Sequence, residues 1–322
     1  MTPSTLLPDH PRHTHAVVIG AGTMGADVAI VLARGGCRVT VTDPDAGKRT
    51  LLMAHVRAGL APLGLETRTD RVQAVASLQD VPWHDAALVI ECIPEKLAAK
   101  QALFAQLVEL APRTTVLTSN SSSFPISAIG QGLATQERML GLHFFMPAHL
   151  VPLVEVVLGP QTDAAQAERL CSYMRGCGSV PVLVRKDKPG FLANRLQHAL
   201  AREAFAMIDE GIASAEDVDA AVRFGFGFRY LAAGPVLQRD HAGLDVHCAA
   251  AATIYPSLSN TATPASVLQA HVSAGKLGMK AGAGFYDWPA DRRLAERERY
   301  DRLLQQGLGL MADELPPLDR SF

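Results

Sequence analysis

The sequence predicts an α/β chain: a doubly wound, mainly parallel sheet followed by an all-α C-terminal domain. Three observations carry this expectation. From residue 16 onward, short apolar runs alternate with helical stretches, the pattern of a parallel sheet covered on both faces. A glycine turn, Gly20-Ala21-Gly22-Thr23-Met24-Gly25, joins the first apolar run to the first helical stretch. After Pro189 the strand signal fades, and the remainder reads as helices with glycine-rich breaks.

In chain order, residues 1–14, with prolines at 3, 8 and 11, read as a flexible arm. Its histidines read as part of a polar tail, not as metal ligands. Strands are predicted over 16–19, 38–42, 87–91, 115–118, 140–143, 153–157 and 180–184, with helices over 23–33, about 45–60 and 95–110. This sheet domain occupies 15–187 and the helical domain 188–322, divided at a charged Pro-Gly stretch near 187–190. In the second domain a helix over 194–210 stops at Gly211, and Ser214 with Asp217 forms a capping-box pattern that starts another. The mixed-charge run 291–302 reads as a solvated helix face.

Composition excludes several function classes. The 322 residues carry 30 basic and 32 acidic side chains, a formal charge of −2, so no global basic field attracts nucleic acid or an anionic membrane. An anionic ligand must be held by a local site. Five cysteines without C-x-x-C spacing argue against a disulfide framework. The apolar stretch 16–33 is broken by three glycines and Asp27, which rejects a membrane span. A reducing, cytoplasmic setting without a metal site is expected.

The turn Gly20-x-Gly22-x-x-Gly25 has the dinucleotide fingerprint in its proper context, between strand and helix. Its glycines permit the tight turn, close approach of backbone to a pyrophosphate, and close helix–strand packing. The helix N-terminus offers free N–H groups to the phosphates. Asp43 ends the second strand 23 residues after Gly20. A carboxylate there accepts from ribose hydroxyls and repels a 2′-phosphate, favouring NAD over NADP.

Four local oddities follow. Ser119-Asn120-Ser121-Ser122-Ser123 is a polar run after a strand, and alone reads as a turn. His143 stands in an apolar strand, where a satisfied core histidine is the ordinary explanation. Glu155 interrupts the β-branched run 153–157, and a buried carboxylate is costly unless paired. His143 is its candidate partner: a carboxylate on one imidazole nitrogen fixes the tautomer and raises the basicity of the other. Asn194 opens the long helix within Pro189-Gly190-Phe191-Leu192-Ala193-Asn194-Arg195.

In their order and spacing these motifs, with Gly141-Leu142-His143-Phe144-Phe145, Leu153-Val154-Glu155-Val156 and the closing Lys276-x-Gly278-x-Lys280-x-Gly282-x-Gly284-Phe285-Tyr286, resemble the 3-hydroxyacyl-CoA dehydrogenase family over residues 15–288. The resemblance implies a Rossmann-type NAD domain, a helical domain that forms a homodimer, and an active site in a cleft between domains. It implies His143 as general base, Glu155 as the acid that orients it, and Ser122 and Asn194 as hydrogen-bonding groups for the reacting oxygen and neighbouring carbonyl. Met24, Glu95, Lys100, Asn120 and Lys280 match positions near the cofactor. The implied reaction is NAD-dependent oxidation of the 3-hydroxyl of an L-3-hydroxyacyl-CoA. A non-catalytic NAD-binding sensor is the reading from a different class.

Three departures bear on substrate. Met146 stands where CoA-using members continue with asparagine, and a thioether cannot replace the amide's donor. The helix after the second strand, which in the family often carries lysines toward the CoA phosphates, offers only His55 and Arg57 over 51–64. Phe224-Gly225-Phe226-Gly227-Phe228-Arg229-Tyr230 resembles a segment of the branch that handles free hydroxy acids, such as the carnitine and gulonate dehydrogenases. There Arg229 suits a substrate carboxylate, and equally a surface or subunit-interface ion pair.

Overall fold

Residues 7–321 are described by the structure, a computed structural model. Eight strands form one sheet: β1 (His15–Ile19), β2 (Arg38–Thr42), β3 (Val72–Val75), β4 (Ala86–Glu91), β5 (Val116–Ser119), β6 (Met139–Phe144), β7 (Leu153–Leu158) and β8 (Val180–Val184). Their order is β3-β2-β1-β4-β5-β6-β7-β8, and every neighbouring pair is parallel except β6 with β7. The order reverses between β1 and β4, and the carboxyl ends of strands at such a switch point form the ligand crevice of open α/β sheets. This is the mainly parallel sheet expected from the alternation, in the Rossmann-type arrangement that the family resemblance implies. Of the strands, β3 was not foreseen: Val72-Gln73-Ala74-Val75 is too short and mixed to signal a strand alone.

Helices α1 (Thr23–Arg34), α2 (Ala46–Leu60), α3 (Leu97–Leu110), α4 (Ile126–Ile129) and α5 (Ala164–Gly176) connect the strands. From Gly25 to its end α1 is buried all round, which explains its near-continuous apolar sequence. Asp45 caps α2, accepting from the N–H groups of Gly47 and Lys48. The strands are buried through the centre of the sheet, and the apolar face of α1 joins them in one core with β1, β2, β4 and β7.

Two compact units result. One comprises the described residues up to Asn194 together with those from Ala312 onward; the other spans Arg195–Met311. Thus the last residues, expected in the helical domain, return to the first unit. There Arg68 donates to the Asp319 carbonyl, Arg320 donates to the Leu63 carbonyl, and Leu318 packs against the core. The N-terminal segment from Leu7 is also packed, in contrast to the flexible arm expected over 1–14. Leu7 is buried, its N–H donates to Gln166, and Thr14 hydrogen-bonds the Tyr173 hydroxyl. Residues 1–6 of that arm lie outside the described residues.

Helix α6 (Ala193–Asp209) leads into the second unit, which contains α7 (Ala215–Ala221), α8 (Gly227–Arg229), α9 (Leu237–Ala242), α10 (Leu244–Ile254), α11 (Ser266–Ser273) and α12 (Ala290–Leu310). Gly211 has φ +69°, the left-handed stop after α6, and Ser214 and Asp217 make the capping box of α7. Among the described residues of this unit only Val218, Ala233 and Gln238 are buried. No helix among the described residues is long and apolar enough to cross a membrane.

Candidate active site

The glycine turn lies at the carboxyl end of β1. Gly20 has φ +105°, and a Cβ there would stand 2.8 Å from the Cys92 carbonyl oxygen. A Cβ on Gly25 would collide with the Gly20 carbonyl at 1.8 Å, so the third glycine is required by helix–turn packing. A Cβ on Gly22 would meet no protein atom within 4 Å. That position is open at the N-terminus of α1, as a backbone that must admit a pyrophosphate requires. Met24 is half-buried against the core in the first turn of α1. Asp43 follows β2, accepting from the N–H groups of Ala21 at 2.8 Å and Asp45 at 2.9 Å, with Lys48 3.5 Å away. Burial raises its pKa, but these hydrogen bonds and Lys48 outweigh it and hold the carboxyl below its ordinary value. The residues present therefore fit a dinucleotide: an open glycine cradle beside an ionised carboxylate.

Next to this turn lies a cluster in which Glu95, Lys100 and Asn120 are positions that the sequence singles out and Glu91, at its centre, is one that sequence reasoning missed. Glu91, the last residue of β4, is fully buried and accepts from Ile93 N–H at 2.7 Å, Lys100 Nζ at 2.6 Å and Ser119 Oγ at 2.5 Å. Its signal was an acid ending an apolar strand, the same signal that marked Glu155. Lys100 is 1% exposed, donates to the Ile93 carbonyl and lies 3.2 Å from Glu95 Oε2. Its ammonium is thus engaged with Glu91, Glu95 and the Ile93 carbonyl. Glu95 accepts from Ser121 Oγ and from the N–H groups of Ser122 and Ser123, so it ties the polar run to the β4–α3 loop. Burial acts to raise its pKa, and Ser121, Ser123 and Lys100 together lower it. Asn120 accepts from Phe144 N–H at 2.8 Å, which joins the polar run to the end of β6.

His143 and Glu155 are directly opposed in the antiparallel β6–β7 register, so their side chains lie on one face of the sheet. His143 Nδ1 is 2.7 Å from Glu155 Oε2, and His143 Nε2 is 3.1 Å from Ser122 Oγ. Both dyad members are buried, whereas Ser122 is exposed. Glu155 Oε1 accepts from Leu192 and Ala193 N–H groups at 2.9 and 2.8 Å, at the start of α6. Gly190 and Phe191 both have positive φ, +76° and +47°, and this turn aims those two N–H groups at the carboxylate. Burial raises the Glu155 pKa, but His143 and the two N–H groups outweigh it and hold it below the ordinary value. An ionised carboxylate only accepts, so Nδ1 carries a proton and Nε2 of the neutral ring keeps its lone pair. The rings of Phe145 and Phe191 flank the imidazole at 4.6 and 5.5 Å.

The structure therefore brings His143, Glu155 and Ser122 together. Asn194, in the first turn of α6, makes no hydrogen bond to them among the described residues. Arg229 and Lys280 are exposed residues of the second unit. Arg229 lines a cavity of about 530 Å³ with Phe228, Leu231, Gln238 and His241.

Two family models match. The 3-hydroxyacyl-CoA dehydrogenase NAD binding domain covers residues 15–188, and the C-terminal domain of the same family covers 190–288. The chain belongs to the 3-hydroxyacyl-CoA dehydrogenase family. It is an NAD-dependent oxidoreductase of that family. It is 39% identical over 284 residues to the 3-hydroxyadipyl-CoA dehydrogenase of Escherichia coli, covering 85% of this chain and 59% of that one. It is 33% identical over 293 residues to the 5-formyl-3-hydroxy-2-methylpyridine 4-carboxylate 5-dehydrogenase of Mesorhizobium japonicum, covering 89% and 95%. A crystal structure of a dehydrogenase acting on that pyridine acid, described as an NAD+ dependent dismutase, superposes with TM-score 0.86 at 31% identity, covering 92% and 98%.

Proposed function

We propose that the chain oxidises the 3-hydroxyl of an L-3-hydroxyacyl-CoA, with His143 as general base. The observation that carries this reading is the Glu155–His143–Ser122 chain of contacts, which leaves Nε2 as an acceptor beside an exposed hydroxyl. The glycine turn and Asp43 would hold NAD, which would supply the hydride acceptor for the hydroxyl-bearing carbon. His143 Nε2 removes the hydroxyl proton, and Glu155 stabilises the imidazolium that results. Ser122 Oγ and the Asn194 amide hydrogen-bond the reacting oxygen and neighbouring carbonyl. Proton transfer to a positioned base contributes about 10²–10⁴ in rate.

A second reading, the same chemistry on a small free hydroxy acid, is favoured by the state of α2. Of its basic side chains, Lys48 pairs with Asp43, Arg49 donates to the Asp43 carbonyl and His55 pairs with Asp27. Exposed Arg57 is then the one basic side chain of that helix without a partner among the described residues, and a single cation supports CoA phosphates poorly. The likeness to an enzyme named for a pyridine carboxylate points the same way. Arg229 would hold the carboxylate bidentately.

NAD reduction with 3-hydroxybutyryl-CoA and a panel of free 3-hydroxy acids separates these readings. Turnover of the CoA ester alone supports the first, and turnover of free acids alone supports the second. Tight NAD binding without turnover of any substrate would leave a sensor. Under the second reading Arg229→Met raises KM for the acid at least tenfold, and an unchanged KM removes the carboxylate role.

The second unit supports association with another copy of the chain. Its described residues bury almost nothing among themselves, while Phe224, Val236, Leu244 and Val246 are 75%, 78%, 62% and 61% exposed. Apolar surface on that scale calls for a partner, and we infer a homodimer through this unit.

A further inference from the structure

Asp27 is the one acid of α1, two residues past the glycine turn, and is 1% exposed among Ala26, Val28 and Ala29. A carboxylate in such a place is costly unless it is paired. Its partners come from two other segments. His55 Nε2, from α2, is 2.8 Å from Oδ1. From the segment joining β6 to β7, His149 Nδ1 is 3.1 Å from Oδ1 and Ala148 N–H donates to Oδ2 at 3.0 Å. Burial raises the Asp27 pKa, but the two imidazoles outweigh it and bring it down to about 2. Asp27 is therefore ionised throughout the working pH range. Arg34, also on α1, donates to the His149 carbonyl at 3.1 Å and fixes the same point of the chain.

This anchor lies on the segment that leaves the dyad. Phe144 N–H is held by Asn120 at one end and Ala148 N–H by Asp27 at the other. Only Phe145, Met146 and Pro147 lie between the two. Phe145 packs edge-on to His143, and Met146 is 64% exposed at the position that departs from the family's asparagine. The three residues next to the base are thus spanned between two hydrogen bonds, one from the cofactor side of the sheet and one from α1.

We propose that Asp27 is a positioning residue that sets substrate fit, by holding the Phe145–Met146 step beside His143 through Ala148 and His149. The proposal rests on the reading of His143 as the base. Oδ2 accepts from Ala148 N–H and Oδ1 faces the two imidazoles, so Asp27→Ala removes the hold, whereas Asp27→Asn can keep it, with its oxygen on Ala148 N–H and its NH2 toward the imidazole nitrogens.

The test is steady-state kinetics at saturating NAD, with whichever hydroxy substrate the wild-type protein turns over, combined with amide exchange at Ala148. Asp27→Ala should raise KM at least tenfold, change kcat less than threefold, leave NAD affinity within twofold and speed Ala148 exchange, and Asp27→Asn should restore KM to within threefold of the wild type. His149→Ala, which removes the imidazole facing Oδ1 but keeps the Ala148 N–H, should raise KM less than Asp27→Ala does. A KM unchanged in Asp27→Ala overturns the proposal, even where exchange at Ala148 accelerates. Equal losses in kcat, NAD affinity and thermal stability would mark a merely structural role and overturn it as well. Absence of turnover in the wild type overturns the reading of His143, and that result is distinguished from failure of this proposal because no variant is needed to see it.

Discussion

Two places in one sheet, on strands separated by two others, solve one problem with opposite consequences. At the end of β4, buried Glu91 is paired with a lysine; on β7, buried Glu155 is paired with a histidine. Both carboxylates also accept from backbone N–H groups, Ile93 for the first and Leu192 with Ala193 for the second, and Glu91 accepts from the Ser119 hydroxyl as well. The difference lies in the partner. The Lys100 ammonium has its donors spent on Glu91, Glu95 and a carbonyl, so that pair locks the polar run in place. The imidazole of His143 spends one nitrogen on Glu155 and keeps the other beside Ser122. Imidazole is the side chain that takes and releases a proton near neutral pH, so the second pair can do chemistry where the first can only hold shape.

Breaking each pair in turn tests that contrast. His143→Gln should lower kcat by about 10²–10⁴ while NAD affinity, measured by fluorescence titration, changes less than threefold; near-wild-type turnover would end the assignment of the base. Lys100→Met leaves Glu91 buried without its counter-charge and should cost about 3–5 kcal/mol of folding stability, read by denaturant unfolding. Whatever fraction stays folded should retain the proton-transfer chemistry. Glu155→Gln should sit between them, lowering kcat by about 10–10², because the imidazole survives but loses the anion that orients it. Comparable turnover losses in Lys100→Met and Glu155→Gln at equal stability would erase the distinction.

The smallest effect concerns acid. Asp27 has a folded-state value near 2, below its ordinary 3.8, so it stabilises the fold above pH 3.8 and that contribution fades as pH falls toward 2. The shift corresponds to about 2 kcal/mol. Between pH 5 and pH 2.5, unfolding free energies of Asp27→Asn should therefore fall by roughly that much less than those of the wild type. Equal slopes would mean that Asp27 is not paired as the structure places it.

Much of this was legible before any coordinates. The alternation from residue 16, the glycine turn and Asp43 announced a dinucleotide-binding sheet, because period and turn chemistry are local. His143 and Glu155 were suspected partners because an acid in a β-branched run must find a counterpart. Glu91 escaped notice although it carries a similar signal, since Lys100, its partner, sits on a helix where a lysine is unremarkable. Asp27 was read as an interruption of an apolar stretch, and His55 as a weak substitute for basic residues on α2. Neither assignment could anticipate that the two meet, because the contact depends on how α1 and α2 pack.

By itself the sequence determined the sheet's alternation, the glycine turn that admits a pyrophosphate, and the residue types of the dyad. Those follow from backbone sterics and from the cost of burying a charge, which act within a few residues. Only the tertiary structure decided which charge serves which purpose. The antiparallel register sets Glu155 opposite His143, while burial turns Lys100 inward to Glu91. Packing brings residues 148 and 149 against Asp27, and the chain from Ala312 onward returns to the first unit. These are pairings between segments far apart in the chain, and their energies exist only once the desolvated partners have been brought together.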